Sequence, residues 1–539
     1  MNRDLFARAA LAQIPKILTL CDRNPHSPTY GCFDRNFWHY KIIDFPSGMA
    51  QEFVWPLALA YETNIQNNPY YHQPMIREWV EAGILYAAKS AHKDGSCDDY
   101  FPYERAGGAA AFSLLACIES YRLLGLDNFE MLKFFENRAD WLANYHESGQ
   151  LTNHQALIVL CLELLSGLLK TSKWKRAKAI RLERIFNWQS SEGWFQEYEG
   201  CDPGYHTLTI SCLARLYQIR PDPRLKEVLT AAVEFAAHFI YPDGSYGGEI
   251  GSRNTYNFFP HGFEIVGRWL PAALRINDQF LAGMANGLAP CYSDDHIIGH
   301  HTWNYLLAWR DFVPERPTPL PRPIGQIWLQ EAQILIERRS HSEGLGSPHT
   351  TELYLALNKG GVFKIFRDRQ LIASDTNFSL LVRDGKKIKN AVAHLIGSYQ
   401  IQIKENEIII LGKMGWSKQQ QMTTTKLILL RLVMLFGGRF FPNLIRKLLQ
   451  KILIIGKQDA PFRFMRKLTW DNGRWLVTDE LKAESWENVI SVGIGCDQTS
   501  IYVVMSRTFQ IHQLQPWLDL TSELPKLTPE QPLRVERSL

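Results

Sequence analysis

The sequence predicts a multidomain α+β protein, an N-terminal incomplete (α/α) toroid followed by an antiparallel β-sandwich. Three observations support this prediction. Residues 1–313 carry apolar side chains at helical spacing, residues 314–323 form a proline-rich linker, and residues 324–520 contain short β-branched and aromatic runs. Residues 521–539 then remain as a C-terminal tail. Helices first and strands afterwards indicate separate domains, because βαβ units would alternate the two patterns.

The helical part is predicted to be built from repeats. Gly95, Gly149, Gly193 and Gly244 lie in short polar loops at intervals of roughly 50 residues, which is the length of one helical hairpin with its loop. Repeated hairpins form a solenoid or a closed toroid, and equivalent loops then gather on one face, where a ligand is expected to bind. The apolar stretches that predict helices are 73–90, 109–124, 131–145, 155–169, 208–219, 225–239 and 262–273.

The linker and the second domain are predicted from a change of pattern. Five prolines between Pro314 and Pro323 forbid a helix and favour an extended chain. Short apolar runs with turns between them then predict the strands of a sandwich. These runs are 352–356, 361–366, 378–382, 399–404, 407–411, 475–478, 489–494 and 501–505.

One insertion, residues 424–456, does not fit the sandwich pattern and predicts two helices around Gly437 and Gly438. These helices are apolar and basic, and the chain has no Asp or Glu from Ile408 to Gln458. A helix with apolar and basic faces can lie in the surface of an anionic membrane. The alternative is a helical excursion packed on the sandwich, with its basic face in water.

The composition excludes several classes of protein. Apolar residues make up 46% and charged residues 21% of the chain, which predicts a globular protein with a real core. A net charge of +4 is too small for a nucleic-acid binder, although a locally basic cleft can still gather an anionic substrate. The nine cysteines are odd in number and form no close CxxC pair, so neither disulfides nor a structural zinc is expected.

The predicted location follows from two absences in the sequence. The first 20 residues lack the continuous apolar stretch of a secretory signal, and no run reaches the roughly 18 apolar residues that span a bilayer. The sequence therefore predicts a cytoplasmic protein. Residues 424–456 would offer it peripheral contact with the inner face of the membrane.

Four loops that follow the repeat glycines carry the candidate site residues. Because the repeat places these loops on one face, we expect their polar side chains to line one cleft. The predicted catalytic residues are Asn153, His154, Tyr205 and His261. The predicted substrate-binding residues are Tyr100, Glu104, Arg105, Glu199, Arg253, Asn254 and Tyr256.

Two of these loops resemble those of a known family. Asn153 and His154 are adjacent and open a helix, and the acidic, glycine-rich loop from Glu199 to Tyr205 follows about one repeat later. In these residues the sequence resembles the heparinase II/III-like and alginate-lyase-like polysaccharide lyases. The resemblance implies the toroid and sandwich, an acidic, uronate-containing polysaccharide as substrate, and catalysis by β-elimination.

The chemistry of elimination explains why these residue types suit the site. The proton on C5 of a 4-linked uronate is weakly acidic, and neutralising the neighbouring carboxylate stabilises the anion that forms when it leaves. An Asn amide and a His suit that neutralising role, and a Tyr can serve as base, acid or both. Charge from Arg105 or Arg253 would help the Tyr to give up its proton.

One departure from the family concerns the sandwich. The resemblance would place a His-x-Asp motif near its first strands, and the nearest candidates here are His349 and His394, neither in such a motif. Three further histidines, His296, His300 and His301, lie close together in sequence without an obvious fourth ligand. The sequence therefore predicts no bound metal and no cofactor.

Three other functions remain open at the level of the sequence. The same scaffold could bind or assemble a glycan without catalysis, beside exopolysaccharide or capsule synthesis. An inverting glycosidase would need two carboxylates roughly 6.5–9.5 Å apart. A terpene-cyclase-like toroid is suggested by Asp243–Tyr246, but the chain lacks an Asp-x-Asp-Asp motif. The carboxylates available to a glycosidase are Asp99, Glu104, Glu199, Asp202 and Glu249.

Overall fold

The computed structural model describes residues 2–147, 149–294, 296–342, 348–395, 397–417, 422–441, 444–445, 458–495 and 508–539. Helices occupy the first part of the chain and strands the second. The helices are α1 (Asp4–Leu11), α2 (Ile14–Leu20), α3 (Arg35–Trp38), α4 (Val54–Glu62), α5 (Pro74–Ser90), α6 (Gly107–Leu123), α7 (Phe129–Asn144), α8 (Thr152–Leu168), α9 (Lys175–Asn187), α10 (Pro203–Ile219), α11 (Pro223–Ala236), α12 (His261–Val266), α13 (Pro271–Ala285), α14 (Ile298–Arg310) and α15 (Thr424–Val433).

Six helices form the inner wall of a ring. Helices α4, α6, α8, α10, α12 and α14 each contact the next, and α14 contacts α4, so the wall runs fully round. Helices α5, α7, α9, α11 and α13 lie outside it, and α1 packs on α13 and α14. Both α6 and α8 bury side chains on all their faces, as a helix enclosed by neighbours must. The predicted α/α toroid is confirmed.

One predicted helix is two helices in the structure. Residues 262–273 were expected to form a single helix, but α12 ends at Val266 and α13 begins at Pro271. Proline cannot donate the backbone hydrogen bond that a continuous helix needs, and it fits the first turn of a new one. The chain before α12, residues 247–260, is not helical.

The strands form a short hairpin in the ring and two antiparallel sheets after it. The smaller sheet has the order β3-β4-β5-β6-β7; the larger has the order β15-β14-β8-β9-β11-β12-β13-β16, with β10 paired to β11. The strands are β1 (Gln196–Glu197), β2 (Gly200–Cys201), β3 (Gly325–Leu329), β4 (Ile334–His341), β5 (His349–Ala356), β6 (Val362–Arg367), β7 (Gln370–Asp375), β8 (Phe378–Asp384), β9 (Lys387–Val392), β10 (Gln400–Lys404), β11 (Glu407–Ser417), β12 (Asp459–Asp471), β13 (Arg474–Ala483), β14 (Val489–Ile494), β15 (Leu518–Asp519) and β16 (Leu533–Ser538).

The smaller sheet is buried on both faces. Alternate residues of its strands point in opposite directions, so Leu353 and Leu355 join the core between the two sheets, while Tyr354 and Ala356 join the core of the ring. The molecule is therefore layered as ring, small sheet and large sheet. The predicted sandwich is confirmed.

The second domain extends further than the sequence predicted. Strand β16 pairs with β13 along the edge of the large sheet, so residues 521–539 are not a separate tail. Strand β16 is short and polar, and of its six residues Leu533 alone is buried, so it gives a weak sequence pattern. The predicted strand at 501–505 lies outside the described residues.

Charged contacts join the ring to the small sheet. Lys364 on β6 lies 2.9 Å from the Oε2 atom of Glu249, and both side chains are buried. Lys359, in the turn before β6, donates to the backbone oxygens of Glu249 at 3.0 Å and Gly251 at 2.7 Å, and to the side chain of Asn254. Although burial opposes ionisation, Lys364 and Tyr256 hold the pKa of Glu249 below its ordinary value.

The basic insertion begins as a helix on the surface. Helix α15 continues through a π-helical turn at Met434–Gly438, and none of its own residues is buried. Residues 446–456 of the predicted helical pair lie outside the described residues. In the part of the chain that the structure describes, no helix is long and apolar enough to cross a membrane.

We predict that Lys364→Met lowers the free energy of unfolding by about 3–5 kcal/mol, because it leaves the Glu249 carboxylate buried without its ion partner. Denaturant unfolding followed by circular dichroism measures the change. The matched control is Lys389→Met, which breaks the exposed pair with Asp384 and should have little effect. Equal stability of the two variants would contradict the structural role of the Lys364 pair.

Candidate active site

A buried carboxylate, Glu197, is the centre of a polar cluster at the loop end of the ring. Asn153, in the first turn of α8, donates from Nδ2 to both Glu197 oxygens at 2.7 Å and from its backbone nitrogen at 3.1 Å. Arg253 donates from Nη1 to the Oε2 atom of Glu197 at 3.1 Å. Burial raises the pKa of Glu197, although Arg253 and Asn153 oppose the shift by stabilising the carboxylate.

Tyr205, in the first turn of α10, lies against the same arginine. The guanidinium carbon of Arg253 is 3.6 Å from the centre of the Tyr205 ring and 5.5 Å from that of Tyr198. Burial disfavours the charge of Arg253, but Tyr205, Glu197 and Tyr198 outweigh it and raise the pKa of Arg253. The arginine is therefore a permanent cation, and it lies over the face of the Tyr205 ring.

Asp202 holds the start of α10 beside the loop that carries Arg253. One of its oxygens accepts from the backbone nitrogen of Tyr205 at 2.9 Å and caps the helix. The other accepts from the backbone nitrogen of Arg253 at 3.0 Å, and Thr255 donates its hydroxyl to Asp202. A side chain at Gly204 would place its Cβ 2.0 Å from the Thr255 hydroxyl oxygen, so only glycine permits this approach.

His154 lies at the open side of the cluster. Its side chain is 18% exposed, and its Nδ1 atom is 2.8 Å from the Oε2 atom of Glu147. This contact orients the imidazole and leaves Nε2 on the side of the ring away from Glu147. The first turn of α6 lies close by, because a Cβ at Gly108 would come within 2.8 Å of the His154 ring.

The loop before α6 brings an aromatic ring to the same end. Tyr100 is 43% exposed, and its ring stacks on His296 at 5.6 Å between centres. An exposed aromatic ring beside a polar cluster is suited to pack on the face of a sugar. Arg105 forms an ion pair with Asp94 at 3.0 Å.

Glu104 gives this loop its shape. Its Oε2 atom accepts from the backbone nitrogens of Tyr100 at 2.7 Å, Asp99 at 3.2 Å and Phe101 at 3.4 Å. Burial, together with the charge of Asp99, raises the pKa of Glu104 to about 7, against the opposing effect of these hydrogen bonds. The carboxyl group therefore changes its protonation near neutral pH.

Three predicted substrate-binding residues are placed differently from expectation. Tyr256 is buried and donates its hydroxyl to Glu249, and the Asn254 side chain accepts from Lys359. Both residues therefore join their loop to the small sheet rather than line a cleft. Glu199 is exposed at the turn between β1 and β2.

His261 is not part of the cluster. Its Nε2 atom is 2.7 Å from the Oδ2 atom of Asp311, which follows the last residue of α14. Asn153 and Tyr205 lie in the first turns of α8 and α10. The backbone nitrogen of His261 instead donates to Asn304 in the middle of α14, and its side chain reaches toward the end of that helix. Burial lowers the pKa of His261 to about 4, although Asp311 opposes that shift. The expectation that it shares a cleft with His154 and Tyr205 was wrong, because α12 begins beside the middle of α10, where Gly262 lies against Ser211.

The other histidines considered for metal binding each contact different partners. His300 pairs with Glu52 and stacks on Phe112, while the ring of His301 stacks on Tyr292. His349 pairs with Asp368 on the surface of the small sheet. Among the residues that the structure describes, no group of three or more His, Cys, Asp or Glu side chains is placed to hold a metal ion.

Three residues that hold the site together were not predicted from the sequence. Glu147 orients His154, Glu197 receives Asn153 and Arg253, and Tyr198 packs on Arg253. Glu197 had one usable signal. It follows Trp194 and Phe195 in a buried run, and a charged group there requires a partner.

The fold and the cluster define a toroid-and-sandwich protein with a polar site at one end of its ring. No protein-family model matches the chain, and no curated protein matches it either. Solved structures do resemble it, at 10% to 12% sequence identity. They include polysaccharide lyases and an epimerase. Because the sequence identity is so low, these likenesses concern the fold alone.

Three of these structures give the extent of the likeness. A chondroitin AC lyase from Streptomyces coelicolor has a TM-score of 0.47 and 10% identity, over 91% of this chain and 67% of its own. A heparinase III has a TM-score of 0.41 and 10% identity, over 82% of this chain and 64% of its own. A cellobiose 2-epimerase from Bacillus thermoamylovorans has a TM-score of 0.44 and 12% identity, over 56% of this chain and 98% of its own.

We predict that Glu104→Gln removes a pH-dependent part of the stability. The raised pKa of Glu104 means that its contribution is fully present below about pH 4.5, the ordinary value, and is lost as the pH rises through about 7. The free energy of unfolding should therefore fall less in the variant than in the wild type over this interval. Glu199→Gln, on the exposed hairpin, is the control and should follow the wild type. Parallel curves for Glu104→Gln and wild type would contradict the assignment.

Proposed function

We propose that this protein binds an acidic, uronate-containing polysaccharide at the loop end of its ring and cleaves it by β-elimination. The observation that carries the proposal is the convergence of His154, Tyr205 and Arg253 around the buried Glu197. These groups come from three successive repeats of the ring. Together they supply a proton-transfer group, a fixed cation and a histidine at the open side.

The proposed reaction needs only groups that this cluster offers. Tyr205 takes the proton from C5 of the uronate, and the neighbouring Arg253 cation stabilises its phenolate. The substrate carboxylate receives the charge that develops, with His154 as the donor that faces it. The C4–O bond then breaks, a C4–C5 double bond forms, and the leaving oxygen takes up a proton, which Tyr205 can return.

Asn153 has a different role from the one expected. Its Nδ2 atom donates to both oxygens of Glu197, and its side chain is buried. We therefore assign it as a positioning residue, which keeps Glu197 in place and through it Arg253. A substrate carboxylate would meet His154 before it met Asn153.

An inverting glycosidase has less support from the same residues. Asp202 accepts from two backbone nitrogens and a threonine hydroxyl, and Glu249 is bound by Lys364 and Tyr256. Both carboxylates are therefore committed to structure. Glu104 has a pKa near neutrality, but its Oε2 atom accepts hydrogen bonds from three backbone nitrogens.

We predict that Tyr205→Phe lowers turnover of a uronate polymer by roughly 10²–10⁴-fold, because it removes only the proton-transferring oxygen. Polymer binding and the unfolding midpoint should stay near those of the wild type. The ultraviolet absorbance of the unsaturated product measures turnover. The matched control is Tyr198→Phe, which removes a phenol oxygen beside the same Arg253 and should keep most of the activity.

The outcomes separate the alternatives. Cleavage that yields reducing ends without ultraviolet absorbance would indicate a hydrolase. Wild-type protein that binds the polymer and never cleaves it would leave a glycan-binding or assembly protein. Full activity in Tyr205→Phe would contradict elimination through this residue.

A further inference from the structure

Helix α15 and the turn after it present a large apolar surface to solvent. Their side chains are between 47% and 69% exposed at six positions, Ile428, Leu429, Leu432, Phe436, Phe440 and Phe441. The first four lie at spacings of one, four and eight residues, so they share one face of the helix. Proteins rarely leave contiguous apolar surface uncovered, and such surface marks a site of interaction.

The charged side chains of this segment itself all have one sign. From Ile408 to Gln458 the sequence contains no Asp or Glu. Lys426 and Arg431 lie on α15, and Arg439 comes directly before Phe440. A helix with an apolar face and basic flanks fits the interface of an anionic bilayer, where apolar side chains enter the acyl boundary and cations meet the headgroups.

A contact with the ring determines which side of α15 faces outward. The Arg431 guanidinium lies 3.0 Å from the Oδ1 atom of Asp44 and over the ring of Phe45 at 5.3 Å. This side of the helix faces the protein, together with the buried Met434. Ile428, Leu429, Leu432 and Phe436 are therefore turned away from it.

We propose that α15 and the turn to Phe441 lie in the surface of an anionic lipid bilayer and hold this protein there as a peripheral membrane protein. The single sign of the charges favours this partner over a second copy of the chain, because two copies would bring like charges together. The proposal is independent of the chemistry in the ring. It assigns a role to the insertion that interrupts the sandwich.

Vesicle flotation with the full chain tests this proposal. Vesicles of phosphatidylcholine with phosphatidylglycerol should carry the protein, vesicles of phosphatidylcholine alone should carry much less, and added salt should release it. Phe436→Ser with Phe440→Ser should weaken partitioning about tenfold or more, because both rings leave the acyl boundary. Lys426→Gln with Arg439→Gln should weaken it about tenfold on anionic vesicles.

Phe129→Ser is the matched control, because Phe129 is an exposed phenylalanine on the ring and should not affect binding. Each variant should keep the wild-type unfolding midpoint. Failure of the wild type to float with anionic vesicles, or flotation equal to that with neutral vesicles, would overturn the proposal. Concentration-dependent dimerisation that Phe436→Ser with Phe440→Ser abolishes, without flotation, would identify a second copy as the partner instead.

Discussion

The site in the ring depends on a buried charge contact with another domain. Lys364 of the small sheet neutralises Glu249, and Lys359 binds three oxygens of the loop from Glu249 to Asn254. Neither Lys364 nor Glu249 can be left unpaired when it is buried. The loop from Glu249 to Asn254 and the small sheet must therefore come together in one arrangement. Arg253 lies in this loop. The second domain therefore positions Arg253, the cation of the site in the ring, although we assign no side chain of the second domain to that site.

The same loop explains why the cluster is organised before any ligand arrives. Glu197 is buried, and its charge is acceptable there only because Asn153 and Arg253 bind it. Arg253 is thereby held with its charge against the Tyr205 ring. A charge fixed in advance stabilises a developing anion without reorganising, and this is the main advantage of a folded site over water.

Local patterns predicted the fold, but not the contacts that build the site. Helices, strands and the repeat glycines depend on periodicity within one segment, so the ring and the sandwich could be predicted. The helix that carries Tyr205 was predicted to start at residue 208, not 203, because its first turn is polar and lacks apolar spacing. Glu197 binds a residue 44 positions away, and Lys359 one 110 positions away. No pattern within a segment encodes such pairs.

The neighbours Asn153 and His154 show how one helical turn divides two tasks. Successive residues of an α-helix project about 100° apart, so adjacent side chains cannot face the same partner. Asn153 turns inward to Glu197, and His154 turns to Glu147 and Gly108 at the open side. An adjacent pair at a helix start thus joins the buried charge network to a partly exposed imidazole. The sequence predicted both residues as one catalytic pair, and the different contacts of their side chains follow from helix geometry.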